Sequence, residues 1–171
     1  GKPVTTAVRL KIQELLLEGS SLSHDEKTIK ECFYDLDKVQ MMMPLHVQNY
    51  TDFYSSIEHA TNVGKMFRDP ANALLPNWKH LPVGYHGRAS SIVVSGINFH
   101  RPKGQMKPAD AEKPIFGASK QLDFELEMAF VLNKNTEIGE SISTQEAEDA
   151  IFGMVIFNDW SARDIQSWEY V

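Results

Sequence analysis

The rhythm of hydrophobic and polar positions changes once along this chain, near Pro44. Before it, Val8, Ile12, Leu15 and Leu16 recur at the spacing of one helical face, which predicts an amphipathic helix. Thr5 or Thr6 is placed to cap its start and Gly19 to end it. Ser23 with Glu26 three residues on reads as a capping box opening a second helix. Ile29, Cys32, Phe33 and Leu36 form its apolar face, and Pro44 ends it. Met41, Met42 and Met43 read as core filling. After Pro44, glycines, prolines and short apolar runs take over. Residues 91–95 read as a short strand, 101–114 as an exposed loop and 121–132 as a long strand. Residues 146–150 read as a short helix and 152–157 as a buried strand.

Helices first and strands later predict an α+β fold with a mainly β catalytic domain over residues 44–171, preceded by a helical linker over residues 1–43. The 171 residues suit about one domain and suffice to bury a sizeable core. With 42% apolar and 23% charged residues, the composition is that of a soluble globular protein and excludes disorder, fibres and disulfide scaffolds. No apolar run is long enough to span a bilayer. Acids outnumber bases 23 to 17, for a formal charge of −6, so neither a nucleic-acid-binding stripe nor a membrane-binding face is expected. The lone Cys32 fits a reducing, cytoplasmic setting. Neither a Walker A loop nor a G-x-G-x-x-G fingerprint occurs. The chain opens on Gly1 rather than Met and closes on Val171 inside a charged, aromatic stretch, as a fragment of a longer protein is expected to.

Three segments carry chemistry. In 122–128 the alternation sends Leu122, Phe124, Leu126 and Met128 one way and Asp123, Glu125 and Glu127 the other. Glu125 and Glu127 then project from one face roughly 7 Å apart, as a solvated strand face or as a pair screened by a cation. The apolar run before Asn158-Asp159 ends abruptly in an acid, which suits a turn cap, a helix start or a functional group at a strand end. If 51–60 is helical, Asp52 and His59 share a face, either as metal ligand and base or as a cap and a buried His. Together Asp52, Glu125, Glu127 and Asp159 make a set of hard oxygen donors that suits Ca²⁺ or Mg²⁺ better than Zn²⁺ or Cu²⁺. A spare His beside such an ion completes a reasonable hydrolase or lyase site.

These strings occur in a familiar context. Asp52-Phe53-Tyr54-Ser55-Ser56, His59 to Gly64, Met66-Phe67-Arg68, the Leu81 to Ser91 run, Glu125 to Phe130 and Asn158 to Gln166 all resemble the fumarylacetoacetate hydrolase family, from about residue 44 to the end. The resemblance implies a mixed β-sandwich roll and hydrolysis of a carbon–carbon bond in a diketo-acid substrate. It implies metal ligands at Asp52, Glu125, Glu127 and Asp159, holding Ca²⁺ or Mg²⁺. It places a general base at His59 and carbanion-stabilising groups at Arg163 and Gln166. Substrate contacts fall on Tyr54, Arg68, Tyr85, Gln166 and Tyr170; packing at Tyr85 and a surface salt bridge at Arg68 are the plainer alternatives. Arg163 and Gln166 stand three apart, so on a helix they share a face. A homodimer is implied as well.

The resemblance also implies what lies outside these 171 residues: a Lys and a Thr near the metal, a Glu that orients the base, and most of the small N-terminal domain whose end is read in residues 1–43. The isolated chain is therefore expected to be poorly stable and inactive, with unpaired sheet edges. Two other readings compete: an acylpyruvate hydrolase or decarboxylase of the same superfamily, and an inactive fragment or module that a metal merely stabilises.

Overall fold

The computed structural model describes residues 2–169. In chain order the elements are α1 (Lys2–Leu16), α2 (Glu26–Cys32), β1 (Tyr50–Phe53), α3 (Ile57–Phe67), β2 (Gly84–Gly87), β3 (Lys103–Met106), β4 (Ile115–Ala118), β5 (Leu122–Asp123), β6 (Leu126–Leu132), α4 (Thr144–Ala150), β7 (Ile151–Asn158), β8 (Ser161–Ala162) and α5 (Arg163–Glu169). Short 3₁₀ turns lie at Leu22–His24, Leu36–Lys38, Pro70–Asn72 and Ala89–Ser91. Among the described residues the strands form antiparallel pairs: β1 with β2, β3 with β4, β5 with β8 and β6 with β7. The fold is thus α+β, with helices and small antiparallel sheets. The chain divides into two compact units, one of Ser119–Gln166 with the residues up to Gln40, the other of Met41–Ala118 with the residues from Ser167 on.

In the first unit α1 forms where the periodicity placed it, and Gly19 takes a positive φ of 75° in the turn beyond it. Its apolar face is not buried, however: Val8, Ile12 and Leu16 are exposed. Thr5 lies inside the helix, its hydroxyl donating to the Lys2 carbonyl. The second helix starts later than expected, because Asp25 rather than Ser23 caps it: the Asp25 carboxylate accepts from the Thr28 N–H at 3.0 Å and the Thr28 hydroxyl at 2.7 Å. It ends at Cys32, where Phe33 turns extended, well before Pro44. In α4 the capping box is complete, with Ser143 and Glu146 satisfying each other's backbone N–H groups.

The long strand expected over 121–132 is broken. β5 pairs with β8 and β6 with β7, and the break falls at Phe124–Glu125. There the ladder continues as a backbone exchange: Glu125 N–H donates to the Asp159 carbonyl at 3.1 Å, and Asp159 N–H to the Glu125 carbonyl at 3.0 Å. A bulge at Phe152 shifts the register opposite Val131 and Leu132. Directly paired residues share a face, so Leu126, Met128 and Phe130 align with Asn158, Ile156 and Met154. This face is the exposed one, with Leu126 at 75% and Ile156 at 77%. The expected burial of 152–157 is therefore reversed over most of its length, although the strand itself forms.

In the second unit Asp52 sits on β1 and His59 on α3, so the two do not share a helix face. The Ser56 side chain caps α3 by accepting from the His59 N–H at 3.2 Å. The expected strand at 91–95 is replaced by a 3₁₀ turn at Ala89–Ser91 followed by residues in no strand, and the expected loop at 101–114 contains β3, paired with β4. Met41, Met42 and Met43 fill no core, Met42 being 79% exposed.

Buried apolar side chains among the described residues are few: Ala60, Ala73, Met106 and Ala150. The accessible surface is 14381 Å², against about 8,500 Å² for a self-sufficient globule of this mass. The sizeable core expected from chain length is not assembled by these residues alone.

Candidate functional site

The most enclosed charge in the first unit is Arg163, 7% exposed, at the start of α5. Its backbone is fixed because its N–H donates to the Gln121 carbonyl at 2.9 Å. Next to it the Asp164 carboxylate accepts from Ser119 Oγ at 2.6 Å, Lys120 N–H at 2.6 Å and Ile165 N–H at 3.0 Å. Burial alone would raise the Asp164 pKa, but these donors outweigh it and hold the carboxyl below its usual range.

From that fixed base the guanidinium spends each nitrogen on a different partner. Nε meets Asp123 Oδ2 at 3.0 Å, Nη2 meets Glu125 Oε1 at 2.6 Å, and Nη1 donates to Gln166 Oε1 at 3.1 Å. Burial disfavours the charged guanidinium, yet the bonds and attraction from Glu125 and Asp123 prevail and raise its pKa above the ordinary value. The helical spacing thus brings Arg163 and Gln166 together as expected. Because Gln166 accepts through its oxygen, its amide NH₂ remains the end able to donate. The Glu125 side chain is enclosed to 11% exposure, so the acidic side of this strand is the sheltered side.

Glu127 lies on β6 opposite Phe157, and Asp159 follows the end of β7, its backbone paired with that of Glu125. In the second unit, Asp52 and Tyr85 face each other across the β1–β2 pair, and the Tyr85 hydroxyl donates to Asp52 Oδ2 at 2.7 Å. His59 stands edge-on to the Tyr54 ring, centroids 5.6 Å apart. Tyr54 is held in turn: its hydroxyl donates to the Ala60 carbonyl at 3.1 Å, and its carbonyl accepts from Trp78 Nε1 at 2.9 Å. Arg68 directs Nε and Nη2 at the Ala73 carbonyl, at 3.2 and 2.8 Å, clamping the turn after α3. Tyr170 lies outside the described residues.

Asp52, Glu125, Glu127 and Asp159 fit a hard divalent cation by donor chemistry, since all four are carboxylates. Among the described residues, no three His, Cys, Asp or Glu side chains converge in a metal-holding group. Glu125 Oε1 meets the Arg163 guanidinium at 2.6 Å. The alternation groups Asp123 with Glu125 and Glu127 but assigns it no role, and Trp78 carries no sequence signal. What singles out Asp123 is its bond to Arg163, 40 residues later; no local pattern ties Trp78 to Tyr54.

Residues 48–171 match the family described as fumarylacetoacetate (FAA) hydrolase, C-terminal. The chain is 53% identical over 172 residues to a fumarylacetoacetase of Homo sapiens, a match covering all of this chain and 41% of that protein. It is 54% identical over 172 residues to the Caenorhabditis elegans fumarylacetoacetase, covering 99% of this chain and 41% of the relative. For the Arabidopsis thaliana fumarylacetoacetase the identity is 48% over 172 residues, covering 100% and 41%. The chain therefore spans about two-fifths of the length of these relatives.

Proposed function

The chain belongs to the fumarylacetoacetate hydrolase family, and from that premise we propose that it is the first part of the catalytic domain of a fumarylacetoacetase. The reaction is hydrolysis of 4-fumarylacetoacetate: water adds across a carbon–carbon bond, giving fumarate and acetoacetate, the last step of tyrosine and phenylalanine breakdown. Identity of about half the residues to named fumarylacetoacetases over the whole length of this chain carries this reading. In it residues 44–171 contribute to a mixed β-sandwich roll, residues 1–43 form a helical linker and the end of a small N-terminal domain, and the full-length enzyme is a cytoplasmic homodimer.

The residues divide the work as follows. Asp52, Glu125, Glu127 and Asp159 would hold Ca²⁺ or Mg²⁺, which when bound supplies Lewis-acid polarisation of the substrate's diketo oxygens. His59 takes a proton from water beside the electrophilic carbonyl, and the hydroxide attacks that carbon. As the carbon–carbon bond breaks, its electron pair leaves with the acetoacetate fragment as an enolate. Arg163 and the Gln166 amide donate hydrogen bonds to the developing oxyanion, and the proton then returns to carbon. Arg68 pairs with a substrate carboxylate, and Tyr54, Tyr85 and Tyr170 shape the pocket. The contact between Tyr54 and His59, and the hydrogen bond from Tyr85 to Asp52, support these groupings.

The test is consumption of fumarylacetoacetate by the full-length protein, compared with a shorter acylpyruvate. Preferred cleavage of fumarylacetoacetate, with equal amounts of fumarate and acetoacetate released, is expected. Preference for the shorter substrate would reassign the protein to an acylpyruvate hydrolase, and cleavage of neither by the folded, ion-bound protein would reduce it to a metal-stabilised module.

A further inference from the structure

The ion pair between Arg163 and Glu125 bears directly on how the carboxylates are loaded. Arg163 is nearly enclosed, its backbone is tied to Gln121, and the neighbouring Asp164 is tied to Ser119 and Lys120. The guanidinium therefore cannot leave by moving the helix start; it can only turn about its own side-chain bonds. Of its bonds, the one from Nε to Asp123 lies nearest the chain, while Nη2 and Nη1 reach Glu125 and Gln166 at the far end. Two carboxylates thus share one cation. Removing either carboxylate lets the guanidinium settle closer to the other.

We infer that Arg163 is the resident countercharge of Glu125, that a divalent cation reaches Glu125 by displacing Nη2, and that Asp123 is the positioning residue that keeps the displaced guanidinium within reach. The inference rests on the ligand set proposed above. It gives Arg163 two positions: Nη2 on Glu125 before the ion arrives, and Nη2 free to meet a substrate oxyanion afterwards, with Nε on Asp123 in both. Asp123 is neither an ion ligand nor in contact with substrate in this account. Its carboxylate acts through Arg163, using the fork of the guanidinium that an ammonium lacks.

The test is titration of the full-length protein with CaCl₂ and with MgCl₂ in a calorimeter, without substrate, alongside far-ultraviolet circular dichroism to verify folding. Removing the competing cation in Arg163→Gln tightens ion binding by about tenfold. Asp123→Asn removes the competing carboxylate, so the guanidinium holds Glu125 more firmly and ion binding weakens by about tenfold. In the Arg163→Gln background the same Asp123→Asn change has less than about a twofold effect, because the intermediary is gone. A merely structural role would weaken binding in both single variants. Should Arg163→Gln not fold, Arg163→Met serves in its place, since it too removes the competing cation and ion binding again tightens. Ion binding that neither Arg163 variant tightens, or an Asp123→Asn effect equal in both backgrounds, overturns this inference alone. Absence of ion binding by the unsubstituted protein overturns the proposed ligand set and this inference with it.

Discussion

Gly64→Ala is the substitution whose outcome the geometry determines most sharply. In an ordinary helix this change stabilises by about 1 kcal/mol, through helix propensity and reduced freedom of the unfolded chain. In α3 a Cβ at Gly64 would lie 2.1 Å from the Ala73 carbonyl oxygen, 2.9 Å from its carbon and 3.1 Å from Arg68 Nη2. The first of these is roughly 1 Å inside ordinary van der Waals contact. The atom that must give way is backbone, and the Ala73 oxygen is also the acceptor for both Arg68 nitrogens. Overpacking of this kind costs about 1–3 kcal/mol, and loss of the hydrogen bonds from the charged Arg68 adds about 1.5 kcal/mol. Against the propensity gain, the net expectation is a destabilisation of about 2 kcal/mol. Urea unfolding of the full-length protein measures it as a lower midpoint at unchanged slope. Because Arg68 is freed from its clamp, KM for fumarylacetoacetate is expected to rise as well. A Gly64→Ala protein as stable as the parent, or more stable, would refute the close approach on which this reasoning depends.

Ser56→Ala removes the hydroxyl that accepts from the His59 N–H and should cost about 1 kcal/mol in thermal unfolding; an unchanged Tm would show that α3 does not need this cap. Asp164 has a depressed pKa, so its stabilisation is full above the ordinary carboxylate pKa and is lost as pH falls through the lower folded value. Asp164→Asn is therefore expected to lower stability at neutral pH and to flatten the acid limb of the stability curve below about pH 4; a limb as steep as the parent's would assign acid unfolding to other groups. Tyr85→Phe deletes the hydroxyl that donates to Asp52 at 2.7 Å and should weaken Ca²⁺ or Mg²⁺ binding about tenfold. A higher KM with unaltered ion affinity would instead assign the hydroxyl to substrate.

The sequence made several local elements legible because their causes are local. The spacing of Val8, Ile12 and Leu16 sufficed for α1, residues 146–150 fall within α4, and the i, i+3 spacing joins Arg163 to Gln166. What could not be read depends on partners distant in sequence. Alternation along 122–128 separates apolar from acidic residues, yet it cannot say which side is sheltered. That is decided by Arg163, some 40 residues later, drawing Asp123 and Glu125 inward. Likewise 152–157 has the composition of a buried strand, but burial needs an opposing layer, and the described residues leave Met154 and Ile156 exposed. The break at Phe124–Glu125, where Glu125 and Asp159 still exchange backbone bonds, has no turn residue to announce it. The spacing of Asp52 and His59 would put them on one face only if 51–60 were helical, and the β1–β2 pairing takes Asp52 into a strand instead.

The measurement that bears most directly on the central claim follows loss of fumarylacetoacetate by the full-length protein under three conditions: with Ca²⁺ or Mg²⁺ present, after chelation, and with ion present in the His59→Ala variant. The account predicts cleavage in the first alone, with ion affinity of the His59→Ala protein unchanged. Cleavage that survives either chelation or loss of the His59 imidazole would contradict it.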